Sequence, residues 1–116
     1  MSTINQIWEV YRACWNVTDP QERMNKLEKI MTNDFEYHDP NVTLKGHEQL
    51  AEYMEQFQKE FKGMSFVISD FNFHHNRSLA HWNMVDEKKE MIANGIDFAY
   101  YKNGRIQQIT GFFKEN

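Results

Sequence analysis

The spacing of apolar residues changes near residue 65, from intervals of three and four before it to alternation after it. The first run predicts one buried face of a helix that ends between Asn16 and Asp19. Its members are Ile4, Ile7, Trp8, Tyr11 and Trp15. Asp19 followed by Pro20 is typical of the cap and first residue of a second helix.

Two further elements precede residue 65. The predicted buried stripe of the second helix is Met24, Leu27, Ile30 and Met31. A short strand, Phe35 to His38, then leads through Asp39-Pro40 into a loop, and a third helix is predicted from Gly46 to Gly63. The stripe of this third helix is Leu50, Tyr53, Met54, Phe57 and Phe61.

From Ser65 onward the alternation predicts strands, and the turns between them predict which residues face each other. A turn at Asn76-Arg77 would place Phe73 opposite Ala80 and Phe71 opposite Trp82. The charged loop Glu87 to Glu90 would place Met84 opposite Ala93 and Trp82 opposite Gly95. The turn dipeptide Asn103-Gly104 would pair Tyr101 with Ile106, Ala99 with Gln108 and Asp97 with Thr110.

This register makes both faces of the predicted sheet apolar. The face with Asp97 also carries small residues, which predict a gap beneath the helices: Ala80, Ala93, Gly95 and Ala99. The opposite face collects Leu79, Val85, Ile92, Ile96, Phe98, Ile109 and Phe113. Three helices can cover only one face, so we expect a homodimer through the other, centred on Leu79, Ile96, Phe98 and Ile109.

Helices followed by strands predict an α+β fold in one domain, residues 1–116. The net charge of -4 argues against nucleic acid as a partner, and no apolar run is long enough to predict a membrane span. The single Cys14 and the lack of a signal-like N-terminus predict a cytoplasmic protein. His74 and His75 would point to opposite faces of a strand, so no metal site is predicted, and no cofactor is expected.

Asp97 and Asp39 are the candidate chemical groups. Asp97 lies within the apolar run IANGIDFAYY, where a buried carboxylate has to be hydrogen-bonded, paired or neutral. Asp39 ends the aromatic run FEYHDP. The two form an acid/base pair if they converge. The alternatives are a structural hydrogen bond for Asp97, a turn or cap role for Asp39, and a core position for Tyr11.

The order of helix, helix, short strand with DP, helix, and a meander ending GIDFAYYKNGRIQQITGFF resembles the nuclear transport factor 2-like superfamily, especially its SnoaL-like polyketide-cyclase branch. The strings YHDP, KGHEQL, HHNR, GIDF and NGRI carry the resemblance through their order and spacing. It implies a cone-shaped, curved, mostly antiparallel sheet wrapped by three N-terminal helices, a cystatin-like α+β roll, around an open-mouthed pocket.

Ketosteroid isomerase is the closest chemical comparison within that superfamily. Similarity of context implies that Tyr11 donates to a substrate carbonyl, that Asp39 in HDP is the general base, and that Asp97 in GIDF is a neutral acid completing an oxyanion hole. We also expect a group of ligand-binding residues: Trp15, Tyr53, Phe57, Phe71, Phe73, His75, Trp82, Met84, Ala99 and Phe112.

Two classes of function follow from this comparison. The first is a cofactor-free isomerase, cyclase or dehydratase that acts on a small apolar carbonyl compound. The second is a non-catalytic dimeric module that binds a small hydrophobic or aromatic ligand, or serves as an adaptor, through the same pocket. Bulky and polar side chains such as Trp15, Tyr53 and Trp82 argue against a steroid as the ligand.

Overall fold

The computed structural model describes residues 3–114, which form three helices and six strands. The helices are α1 (Ile4–Cys14), α2 (Pro20–Ile30) and α3 (Gly46–Glu60). The strands are β1 (Met31–His38), β2 (Thr43–Lys45), β3 (Ser65–His74), β4 (Arg77–Val85), β5 (Met91–Lys102) and β6 (Arg105–Phe113). The predicted α+β architecture is therefore confirmed, although β1 begins at Met31, which the helical stripe had included.

Local sequence signals define the ends of the first two helices. Thr3 and Gln6 form a capping box at the start of α1, each side chain accepting from the other residue's backbone N–H. Asp19 caps α2 by accepting from the Gln21 N–H, and Pro20 occupies the first turn as predicted. These caps fix where α1 and α2 start relative to the sheet.

The six strands form one open, curved sheet in the order β2-β1-β6-β5-β4-β3. All neighbouring pairs are antiparallel except β1 and β6, which run parallel. The helices cover the concave side, where the apolar core lies. Its largest fully buried side chains include Trp8, Phe35, Tyr101 and Ile109.

The β5–β6 register is as predicted only next to the turn. Tyr101 faces Ile106, but Tyr100 then faces Gln108, so Gln107 is an extra residue that forms a β-bulge. One inserted residue reverses which face every later side chain occupies. Ala99 therefore pairs with Ile109 and Asp97 with Gly111, so the predicted pairs with Gln108 and Thr110 are wrong.

The hairpin between β3 and β4 also differs from the prediction. His75 and Asn76 both adopt positive φ and form its two-residue turn, in place of Asn76-Arg77. Phe73 consequently pairs with Ser78 and Phe71 with Ala80. The pairs across the next hairpin, Met84 with Ala93 and Trp82 with Gly95, are confirmed.

The convex face of the sheet carries several exposed apolar side chains. Leu79 and Phe98 are cross-strand neighbours there, and Phe98 is 37% exposed. Three residues that were predicted for this face do not belong to it. Because of the bulge, Ile109 is fully buried in the core and Phe113 turns inward to the concave side. Val85 is also buried. Phe112, 59% exposed, takes a place on the convex side.

Candidate active site

A cavity of about 500 Å³ opens between the helices and the concave side of the sheet. Its walls are largely aromatic, with a few polar and charged groups. The lining residues are Trp8, Tyr11, Arg12, Trp15, Tyr37, Asp39, Asn41, Tyr53, Gln56, Phe57, Glu60, Phe61, Phe66, Ile68, Trp82, Met84, Ala93, Asp97 and Phe113. This size and chemistry are typical of a site for a small organic ligand.

Asp97 projects from the middle of β5 into this cavity. One carboxylate oxygen, Oδ1, accepts a hydrogen bond of 3.2 Å from the Trp82 indole Nε1 on β4. The other, Oδ2, accepts no hydrogen bond from the residues that the structure describes. The pKa of Asp97 is raised to about 7. Burial is the main cause and outweighs the hydrogen bond from Trp82, which lowers the pKa, and the nearby charge of Asp39 adds to the increase.

Two glycines make room for the pair formed by Trp82 and Asp97. Gly95 lies opposite Trp82, and a Cβ atom there would overlap both the indole ring and the Phe112 carbonyl oxygen. Gly111 lies opposite Asp97, and a Cβ there would come within 2.8 Å of Asp97 Oδ1. The missing side chains therefore let the indole and the carboxylate lie close to the sheet and meet.

Asp39 is held in a turn at the end of β1. Its Oδ1 accepts from the backbone N–H groups of Asn41 at 2.8 Å and Val42 at 3.1 Å. Its Oδ2 accepts from the hydroxyls of Tyr37 and Tyr53, each at 2.8 Å. Four donors thus fix the carboxylate in one orientation.

Three tyrosine hydroxyls lie close to the two carboxylates. Burial raises the pKa of Tyr11, Tyr37 and Tyr53 above the ordinary value for a phenol, and the neighbouring carboxylates add to each increase. All three are therefore neutral phenols at physiological pH and can donate hydrogen bonds. The hydroxyls of Tyr37 and Tyr53 are already used by Asp39.

The structure brings most of the candidate residues together. Tyr11, Asp39 and Asp97 all line the cavity, and so do five of the proposed ligand contacts: Trp15, Tyr53, Phe57, Trp82 and Met84.

Five other candidates do not line the cavity. Phe71 packs against Trp8, and Phe73 packs edge-on against Tyr101 while remaining 41% exposed. His75 lies in the exposed β3–β4 turn, and Phe112 is on the convex face. Ala99 is fully buried, and so is Ala80, so that end of the concave face is packed core and the predicted gap is confined to the end with Ala93.

Several lining residues were not identified from the sequence. Tyr37 lies two positions before Asp39 and so shares its face of β1, a signal that alternation could have supplied. Phe66 and Ile68 were missed because an extra residue, Ser69, shifts the register of β3, and Phe113 because of the bulge at Gln107. Nothing in local sequence composition distinguishes these bulged positions.

The raised pKa of Asp97 predicts a specific pH dependence of stability. An unfolded aspartate ionises near pH 4, whereas folded Asp97 ionises near 7. Between these values folded Asp97 holds a proton that the unfolded chain has lost, so the contribution of Asp97 to stability falls as pH rises from about 4 to 7. The shift corresponds to at most about 4 kcal/mol, reduced to the extent that water in the cavity hydrates the carboxylate.

Asp97→Asn lacks this ionisation, so we expect it to gain stability relative to wild type at pH 8 but not at pH 4. Denaturant unfolding of both proteins at the two pH values measures the difference. The other carboxyl groups titrate in both proteins, so they cancel in the comparison. An identical difference at pH 4 and pH 8 would contradict the raised pKa.

Residues 3–114 include no helix with both the length and the apolar character needed to cross a membrane. Over the same residues, no three His, Cys, Asp or Glu side chains are grouped so that they could hold a metal ion.

Similarity to known proteins supports the resemblance seen in the sequence. One similar structure is a proposed isomerase of the SnoaL-like family, from Agrobacterium tumefaciens strain C58. It is 25% identical in sequence with a TM-score of 0.89, and the alignment covers 99% of this chain and 100% of that protein. A proposed SnoaL-like polyketide cyclase from Jannaschia sp. CCS1 is 13% identical with a TM-score of 0.72, and the alignment covers 98% of this chain and 90% of that protein.

A third similar structure is a protein from Catenulispora acidiphila DSM 44928 with a ketosteroid isomerase-like fold, solved in complex with trimethylamine. It is 14% identical with a TM-score of 0.77, and the alignment covers 97% of this chain and 88% of that protein. No curated protein matches the sequence. The family model of the SnoaL-like domain matches residues 8–109, which is most of the chain. The chain therefore belongs to the SnoaL-like domain family.

Proposed function

We propose that this protein catalyses a cofactor-free acid/base reaction, an isomerisation, cyclisation or dehydration, on a small carbonyl compound bound in the cavity. The observation that carries the proposal is Asp97, a carboxyl group that faces the cavity through an uncommitted oxygen. Its pKa of about 7 supports the same role, because proton transfer is most effective when the pKa of the catalytic group lies near the working pH.

The division of roles that we propose differs from the one implied by ketosteroid isomerase. Asp39 already accepts four hydrogen bonds, so an incoming proton would have to displace a donor. Asp97 accepts only one. We therefore assign the proton-accepting role to Asp97 and a positioning role to Asp39, which holds Tyr37 and Tyr53 in place.

In this mechanism Asp97 Oδ2 removes a proton from the carbon next to the substrate carbonyl. The carbonyl oxygen gains negative charge and accepts a hydrogen bond from the Tyr11 hydroxyl, which lies near Asp97 and is protonated. Asp97 then returns the proton at a second carbon, or to a leaving hydroxyl group. The apolar aromatic walls lower the local dielectric constant around the bound substrate and so strengthen the hydrogen bond to the developing enolate.

A screen in heavy water tests this function without knowledge of the product. Small aryl ketones, enones and amino ketones are incubated with the protein in D₂O, and NMR follows the loss of the α-proton signal. We expect accelerated exchange with at least one compound and no acceleration with Asp97→Ala. Ligands that shift the melting temperature but never exchange would favour the non-catalytic binding module instead.

We further propose that the protein forms a homodimer through the convex face of the sheet. Four apolar side chains on this face support the proposal: the exposed Leu79, Phe98 and Phe112 and the half-buried Ile96. Phe112 takes the place that was predicted for Ile109, which is buried in the core. An apolar surface of this kind on a sheet is commonly covered by a second subunit.

Phe98→Glu should convert the dimer into a monomer, because burying an unpaired carboxylate in the interface costs several kcal/mol. Light scattering at micromolar concentration measures the change. Asn5→Glu, which adds the same charge at an exposed position of α1, is the control and should leave the dimer intact. A wild-type protein that is itself monomeric would contradict this part of the proposal.

A further inference from the structure

We propose that the ligand of this cavity carries a positively charged nitrogen, a protonated amine or a quaternary ammonium group, held beside Asp39 against the rings of Trp15, Tyr37 and Tyr53. This rests on the function proposed above, since it assumes that the cavity is the ligand site. It adds the chemical class of the ligand.

The first reason is the balance of charges around the cavity. Its charged lining residues are Arg12, Asp39, Glu60 and Asp97. The Arg12 guanidinium is already used, since it pairs with Glu9 through an Nε–Oε1 hydrogen bond of 2.7 Å and donates to the Phe66 carbonyl at 3.0 Å. Within residues 3–114 no cationic side chain lies within 4 Å of the other three carboxylates. The lining is thus acidic and lacks a free cation.

The second reason is the aromatic wall next to Asp39. The ring centroids of Trp15, Tyr37 and Tyr53 are separated by 6.3 Å, 5.9 Å and 5.9 Å, so the three rings form a continuous surface. The hydroxyls of both tyrosines donate to Asp39 Oδ2. A phenol that donates to a carboxylate gains electron density, which strengthens the attraction of its ring for a cation.

A neutral ligand would gain the same apolar contacts but would leave the acidic groups poorly solvated. Filling the cavity removes water from Asp39 and Asp97, and that loss is offset only if the ligand supplies a hydrogen-bond donor or a positive charge. Asp39 has no lone pair to spare for a neutral donor, because four protein donors occupy it. A charge acts without needing a lone pair, so the site favours a cation.

A cation also couples binding to the ionisation of Asp97. The groups around Asp97 are Tyr11 from α1, Tyr37 and Asp39 from the end of β1, and Trp82 from β4; Gly111 of β6 has no side chain. None of them is a cation, so a bound ammonium would be the positive charge that favours ionised Asp97. Binding near pH 7 should therefore release a proton, and affinity should rise with pH through about 7.

The test compares choline with 3,3-dimethylbutan-1-ol, which has a carbon in place of the charged nitrogen and nearly the same shape. Isothermal titration calorimetry at pH 7 should show choline binding about ten-fold more tightly. The choline heat should also differ between Tris and phosphate buffer, because the two buffers take up the released proton with different enthalpies. Neither effect is expected from a site that recognises shape alone.

Variants locate the charge that is responsible. Asp39→Asn should remove most of the preference for choline, measured as the ratio of the affinities for choline and the alcohol, with thermal unfolding used to check the fold. If that variant does not fold, Glu60→Gln at the exposed mouth provides a second test, with a loss of a few-fold for choline alone.

Equal affinities for the two compounds, or no binding of either at millimolar concentration, would overturn the inference. The proposed function is judged separately by the exchange of α-protons in D₂O. A protein that exchanges neutral ketones but does not prefer choline would retain its function and lose only the charged ligand class.

Discussion

Asp97→Asn is expected to slow α-proton exchange of a carbonyl substrate by about 10²–10⁴-fold. Asparagine keeps the size of the side chain and can hydrogen-bond, but it cannot accept a proton at neutral pH. The effect should fall on turnover more than on binding, because the lost interaction is made mainly in the transition state. Single-turnover exchange, followed by NMR with saturating substrate, measures it.

Asp39→Asn is the matched control and separates the two possible assignments. If Asp39 only positions Tyr37 and Tyr53, its replacement should change binding and lower the rate far less than Asp97→Asn does. The opposite result, a large loss for Asp39→Asn and retained exchange for Asp97→Asn, would contradict our assignment. It would support the roles implied by ketosteroid isomerase, in which Asp97 is a neutral hydrogen-bond donor.

Gly95→Ala should cause the largest loss of stability among single-atom changes near the site. The new Cβ would overlap the Trp82 ring and the Phe112 carbonyl oxygen, so both the indole and the neighbouring strand would have to move. Overpacking of this kind costs about 1–3 kcal/mol, which corresponds to a fall in melting temperature of roughly 5–15 °C. Differential scanning calorimetry measures the change.

Gly111→Ala is the comparison for that prediction. Here the nearest atom to the new Cβ is Asp97 Oδ1 at 2.8 Å, a side-chain atom that can rotate away. We expect a smaller loss of stability than for Gly95→Ala, together with a displaced Asp97 carboxylate and reduced exchange. Equal melting temperatures for Gly95→Ala and wild type would contradict the close contact between the Trp82 indole and Gly95 of β5.

Much of the fold could be predicted from the sequence because its signals are local. Helical spacing around Trp8 and Tyr11, the Asp19-Pro20 cap and the Asn103-Gly104 turn each depend on a few adjacent residues, and the structure confirms them. The pairing of Trp82 with Gly95 followed from counting outward from a loop. These features gave the order of elements and the face on which Asp97 lies.

The composition of the two sheet faces could not be predicted to the same degree. Assigning side chains to faces by alternation assumes that the strands pair without inserted residues. Ser69 and Gln107 are such insertions, and each one reverses the face of the side chains that follow it along the strand. Phe66 and Phe113 therefore line the cavity, while Ile109 is in the core instead of at the convex face. A bulge is stabilised by packing of the whole sheet, so no short stretch of sequence specifies it.

The environments of the two carboxylates also depended on the tertiary structure. Both Asp39 and Asp97 could be selected from their positions in apolar runs. The four donors to Asp39 come from a turn, from β1 and from α3, and the single donor to Asp97 comes from a neighbouring strand. Their different capacities to accept a proton therefore became visible only once these elements were assembled.

We propose that Asp97 is a proton-transfer group that ionises near neutral pH inside a ligand cavity. Carbon-13 NMR of protein labelled at the aspartate carboxyl carbons, with Asp97→Asn to assign the signal, tests it directly. We predict a titration midpoint near 7 for Asp97 and a shift of its resonance when a ligand binds. A midpoint near 4, the ordinary value for aspartate, with no response to any ligand, would show that Asp97 does not transfer protons in this cavity.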